Sequence, residues 1–162
     1  MARLSVCVDA SVAVQIVTRE DHSRQADALW TDWLRRGLQP IAPPVFPYEV
    51  CSVLRQKAVL RKELTPGEEK KAVELFLSLN VQTLSPPGHL QAAWELATEL
   101  GLPTVYDAAY LALARIEGGD FWTADRRFYS AVHARFDNVR WLGGYRIPDE
   151  SSPDAAAPNA DL

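Results

Sequence analysis

The chain has 162 residues, 48% of them hydrophobic, and a formal charge of −4. That is a single domain's length, with enough apolar content to bury a core without disulfide or metal staples. No apolar run reaches the roughly 18 residues of a membrane span, the opening "MARLSVCVDAS" lacks the apolar length of a secretory signal, and Cys7 and Cys51 match neither a metal knuckle nor a redox pair. The expectation is a cytoplasmic protein, with no membrane partner and two reduced, buried thiols.

A net negative charge speaks against a nucleic-acid partner until its distribution is examined. The closing segment "PDESSPDAAAPNADL" (148–162) holds four acids and no Lys or Arg. Subtracting those four from the 21 acids leaves 17, which matches the 17 basic residues. Residues 1–147 are therefore balanced and read as one domain, and 148–162 reads as a disordered acidic tail.

In chain order, "RLSVCV" (3–8) is apolar on both faces, the pattern of an interior parallel strand. "SVAVQIVTRED" continues into a helix. "SRQADALWTDWLRRG" (23–37) places Ala26, Leu29, Trp30, Trp33 and Leu34 at helical spacing before a Gly. A short extended piece (39–46) leads to a helix opened by Pro47. Thr65, Pro66 and Glu68 then predict a capping box and a helix over 65–79. "NVQTLS" (80–85) alternates like a strand, and helices are predicted over 88–102 and 103–119. "DFWTAD" (120–125) is a strand, 126–136 a helix, and "NVRWLG" (138–143) a last strand. Strands alternating with helices predict an α/β fold, a three-layer sandwich with a mainly parallel central sheet flanked by helices.

Asp9 and Asp125 end predicted strands, and in open parallel sheets ligands bind outside the carboxyl ends of the strands. Glu49 and Asp107 lie near the starts of helices that begin on that same rim. Each has a local alternative. Thr104 and Asp107 fit a capping box, Glu49 is a favourable first-turn acid, and Asp9 and Asp125 suit helix caps. Capping leaves unexplained why Asp9 sits among Val6, Val8, Val12 and Val14, and why Asp107 lies between Val105-Tyr106 and Ala108-Ala109-Tyr110. Four converging carboxylates repel unless some stay protonated or a cation joins them. An all-oxygen ligand set suits Mg²⁺ or Mn²⁺. His22, His89 and His133 are scattered over exposed or ordinary helical positions, which disfavours zinc.

"VDAS" (8–11), "PYEVCSVL" (47–54), "TVYDAAYLALA" (104–114) and "FWTADRRF" (121–128) together resemble, in chain order, the motifs of the PIN domain. Within it they resemble the VapC-type toxins of toxin–antitoxin pairs. The resemblance spans about Leu4 to Leu142. It implies a metal-dependent ribonuclease with Asp9, Glu49, Asp107 and Asp125 as catalytic metal ligands and Ser11 and Thr123 as supporting hydroxyls. It also implies a homodimer, an RNA substrate and a cognate antitoxin. Arg126 and Arg127 follow Asp125 and either meet substrate phosphates or form a solvated helix start. Arg35-Arg36, Lys57, Arg61-Lys62 and Lys70-Lys71 read as solvated faces, and Trp30 and Trp33 as core or dimer contacts.

The rivals are a PIN-like module that binds RNA or protein without cutting, and a housekeeping RNA-processing nuclease. The presence of all four acids disfavours the first. An aspartyl-phosphate phosphohydrolase needs a second Asp two residues after the nucleophile, and position 11 is Ser. A receiver domain needs a late Lys after a strand, which Thr123-Ala124-Asp125 does not offer.

Overall fold

Val6, Cys7 and Val8 are almost wholly buried because they run through the middle of a sheet. In a computed structural model describing residues 5–148, β1 (Ser5–Val8) has a parallel neighbour on each side. One is β2 (Gln39–Ala42), with Cys7 opposite Ile41. The other is β4 (Phe121–Thr123), with Cys7 opposite Phe121. β3 (Gln82–Thr83) and β5 (Val139–Trp141) close the edges, giving the order β3-β2-β1-β4-β5, parallel throughout. The acidic tail expected from residue 148 onward lies, Pro148 apart, outside the described residues.

Helices cover both faces. Phe121 and Trp122 are consecutive in β4 and so point to opposite sides. Tyr110 stacks on Phe121 from one side, at 5.8 Å between ring centroids, and Trp33 meets Trp122 from the other at 6.3 Å. Tyr110 belongs to α6 (Tyr106–Ile116), and Trp33 to α2 (Ser23–Arg35). The α/β sandwich with a parallel sheet is therefore the observed architecture. Trp30 and Trp33 are core residues, buried on the inner stripe of α2 with Ala26 and Leu29.

Local signals explain most of the remaining elements. α1 (Ala10–Val17) follows β1 directly, and α3 (Phe46–Val59) carries Pro47 in its first turn. α4 (Pro66–Ser78) forms the predicted capping box: the Thr65 hydroxyl accepts from the Glu68 amide, and the Glu68 carboxylate accepts from the Thr65 amide. α5 (His89–Glu99) packs along α6, whose Ala108 and Tyr110–Ala114 are buried between α5 and the sheet. α7 (Arg126–Val132) links β4 to β5, which runs into a 3₁₀ turn at Leu142–Gly144. Between α6 and β4 the chain passes so close to β1 that a Cβ on Gly119 would come within 2.7 Å of the Ser5 carbonyl oxygen.

Three expectations are corrected. The strand at 80–85 shrinks to Gln82–Thr83, both exposed, because it pairs only with β2 at the sheet edge. Lys57 is not on a solvated face. Its ammonium is buried, 2.5 Å from Glu20 and 2.8 Å from Glu63, tying the α1–α2 turn to the α3–α4 turn. Burial opposes that charge, but the two carboxylates outweigh it and hold the lysine above its usual pKa. His89 is buried too, its Nε2 2.8 Å from the Ala109 carbonyl oxygen. Cys7 is fully buried and Cys51 half-buried, and both are free thiols.

Candidate active site

The strand order explains where a site must lie. The chain builds outward from β1 through β2 to β3, then returns to the other side of β1 for β4 and β5. The switch point between β1 and β4 opens a crevice at their carboxyl ends. Asp9 follows β1 and Asp125 follows β4, one on each side of that crevice. The Asp9 amide donates to the Trp122 carbonyl at 3.0 Å, so the two strand ends are stitched together. A recess of about 260 Å³ beside Arg115, Arg135 and Phe136 opens near Gly119 and Asn138, which precede β4 and β5, and none of the four acids lines it.

Asp9 occupies the N-cap position of α1 but makes no side-chain cap. Its Oδ2 instead receives the Ser11 hydroxyl at 2.5 Å and the Thr123 hydroxyl at 3.0 Å. Each hydroxyl has one proton, and both are given to Asp9. Their lone pairs accept the next turn of the chain: Ser11 Oγ takes the Ala124 amide at 2.9 Å and Thr123 Oγ1 takes the Asp125 amide at 3.0 Å. Two hydroxyls thus lock one carboxylate oxygen and, through it, the geometry of the β4–α7 turn.

The other three acids differ in their restraints. Glu49 sits in the first turn of α3 and accepts a short hydrogen bond from the Tyr110 hydroxyl. Tyr110 is buried, and burial pushes its phenol far up, so it remains a donor. It lies one helical turn from Asp107 on the same face of α6. In the sequence Tyr110 stands as an apolar flank of Asp107, and its i, i+3 spacing from that acid is the signal of its role. The capping box expected of Thr104 and Asp107 does not form: the N-cap is Val105, without a side-chain cap. Asp125 is a true cap, its Oδ1 accepting the Phe128 amide at 3.0 Å.

The charges on these acids act on one another. Burial pushes Asp9 up to about 6, with the charges of Asp107 and Glu49 adding to the rise and the two hydroxyl hydrogen bonds opposing it. Burial also raises Glu49, and Asp107 adds to it despite the Tyr110 hydrogen bond. Asp107 is raised by burial and then by Asp125. None of the four makes an ion pair among the described residues. Nor, among those residues, are three or more His, Cys, Asp or Glu side chains gathered so as to hold a metal ion. The acids are within reach of each other's fields, and Asp9, Glu49 and Asp125 are each held by their own hydrogen bonds. Their chemistry nonetheless fits a hard divalent cation: oxygen donors only, no basic partner among the described residues, and three carboxyls, Asp9, Glu49 and Asp107, raised first by burial and then by a neighbouring acid's charge.

Arg126 and Arg127 are exposed at the start of α7 and make no ion pair among the described residues. The Arg126 guanidinium lies over the Trp141 ring, 5.0 Å from its centroid.

The PIN domain family model matches residues 6–133, a span that contains all four acids, Ser11 and Thr123, and that stops before β5. Ribonuclease VapC3 of Pyrobaculum aerophilum is 31% identical to this chain over 127 residues, covering 76% of the chain and 92% of the relative.

Proposed function

The chain belongs to the PIN domain family, and on that premise we propose that it is a Mg²⁺- or Mn²⁺-dependent endoribonuclease, the toxin of a VapC-type toxin–antitoxin pair. The observation that carries this reading is the clamped Asp9 carboxylate at the β1/β4 switch point, electrostatically coupled to Glu49 and Asp107, with Asp107 coupled in turn to Asp125. The similarity to a ribonuclease over 76% of the chain supports it.

Asp9, Glu49, Asp107 and Asp125 are the residues that would hold the cation. A cation bound there supplies the charge that ionises a water and offsets negative charge on the phosphoryl oxygens. Ser11 and Thr123 keep one oxygen of Asp9 fixed, and Tyr110 does the same for Glu49, so the carboxylates meet their ligand already oriented. Arg126 and Arg127 lie beside Asp125, where they meet the phosphates flanking the cleaved bond. Attack by water at phosphorus leaves a 5′-phosphate and a 3′-hydroxyl. An antitoxin that covers this rim, a homodimeric toxin and a cytoplasmic setting complete the proposal. Among the described residues, no helix is long and apolar enough to cross a membrane.

The test is cleavage of a mixed RNA pool with and without Mg²⁺ or Mn²⁺, with both new ends mapped. The expected outcome is metal-dependent cutting with 5′-phosphate ends, reduced about a hundredfold or more in Asp107→Asn while the melting curve stays cooperative. Full activity in Asp107→Asn would remove that residue from the site.

A further inference from the structure

Trp141 has a feature that packing does not explain. A buried tryptophan usually finds a partner for its indole N–H. Here Nε1 is buried without one among the described residues, as is Nδ1 of His22, whose ring meets Trp141 edge-on at 5.5 Å. The indole is nevertheless carefully accommodated. Position 143 is glycine, and a Cβ there would fall 2.2 Å from the Trp141 ring. The chain thus makes room for a large flat side chain whose polar atom has no hydrogen-bond partner among the described residues.

The surroundings of that ring point outward. Trp141 is half-buried, in register with Thr123, whose hydroxyl holds Asp9. Arg126 lies over its ring at 5.0 Å. Tyr129 stacks beside it with centroids 6.3 Å apart and planes 28° apart, and His133 stacks on Tyr129 at 4.5 Å and 17°. Arg126, Tyr129 and His133 are spaced i, i+3, i+7, one face of α7 and its C-cap. A cationic and aromatic stripe therefore starts next to Asp125 and leads away from the four acids.

The geometry points to a stacking track for single-stranded RNA, in which nucleobases next to the cleaved bond lie against Arg126, Trp141, Tyr129 and His133. The inference rests on the ribonuclease reading above and adds to it a means of gripping bases rather than phosphates. Aromatic rings and guanidinium planes both offer π-faces to unstacked bases, whereas paired RNA keeps its bases inside the helix. Arg126 makes no ion pair among the described residues, so no carboxylate there neutralises its charge, and the stripe begins beside Asp125. Trp141, on β5, lies beyond the span that the family model matches, whereas Arg126, Tyr129 and His133 lie within it.

The test uses Asp107→Asn protein, in which cleavage is expected to be reduced about a hundredfold or more, and two fluorescein-labelled unstructured RNAs: one with bases and an abasic counterpart with the same phosphates. Trp141→Ala, Tyr129→Ala and the exposed His133→Ala should each weaken the base-bearing RNA, by roughly tenfold for the first two. They should leave the abasic RNA unchanged. Trp141→Phe should restore most of the affinity. In otherwise wild-type protein, Trp141→Ala should raise KM for cleavage with little change in kcat. Unchanged affinity for the base-bearing RNA overturns the track, as does an equal loss on both RNAs. A change in oligomeric state by light scattering in all three alanine variants also overturns it, because the face is then a protein interface. If the wild type cuts RNA and only the substitutions are silent, the track falls and the ribonuclease reading stands. If the wild type neither binds nor cuts either RNA, both fall.

Discussion

Asp125 does two jobs that one substitution can separate. Its carboxylate caps α7 through the Phe128 amide and also raises the pKa of Asp107 by its charge. Asn caps a helix about as well as Asp, but it carries no charge and is a poor ligand for a hard cation. Asp125→Asn should therefore keep the melting temperature and lose cleavage. Asp125→Ala should lose cleavage and about 1 kcal/mol of stability as well. Thermal melts alongside an RNA cleavage assay distinguish the two, and a fully active Asp125→Asn would confine Asp125 to capping. Asp9 is the opposite case. The local sequence suited a cap, but its carboxylate turns to Ser11 and Thr123, which lie 2 and 114 positions away. No window of neighbouring residues contains that second partner.

Helices and strands were legible where the signal was local and strong. The capping box of Thr65 and Glu68 formed as spelled, with Pro66 in the first turn. The similar spelling of Thr104 and Asp107 did not, because α6 starts at Tyr106 and Val105 takes the cap position. A capping motif acts only where packing lets the helix begin, and no side chain caps α6. Amphipathic spacing located α2 and its buried stripe, but not what the stripe meets. Trp33 packs against Trp122 across the α2–sheet layer with 2% exposure. Trp33→Ala should cost about 3–5 kcal/mol and lower Tm by on the order of 10 °C. A melt shifted by only a degree or two would show that this layer repacks.

Over the whole molecule, the proposed metal site would make stability depend on pH and on metal together. Burial and mutual repulsion raise Asp9, Glu49 and Asp107, so the folded state holds their protons more tightly than the unfolded chain does. For such groups, stability is fully present below the unfolded pKa and is lost as pH rises through the folded one. Metal-free protein should therefore lose stability between pH about 4 and about 6, the span from an ordinary Asp to the raised Asp9. Mg²⁺ or Mn²⁺ at millimolar concentration should raise Tm, and more at pH 7 than at pH 5, because protons compete for the same oxygens. Asp9→Asn should flatten both dependences. A wild-type Tm indifferent to metal at pH 7 would count against the site.

The alternation of apolar strands with amphipathic helices sufficed for a parallel sheet with helices on both sides, since each such segment can bury its apolar surface in few other ways. The same chain order placed four acids after strands or at helix starts, which assigns them to one rim whatever the details. The solvent-face reading of Lys57 failed because its two carboxylate partners come from separate turns. The strand order β3-β2-β1-β4-β5 could not be read from the elements, and it is what puts Asp9 and Asp125 across one crevice. The grips on those acids were equally invisible: Thr123 on Asp9, and Tyr110 on Glu49, 61 positions apart. A single sequence records which groups are present and how they are spaced along a helix or strand. Distances between groups on different elements follow from how those elements pack, and the chemistry of this rim depends on such distances.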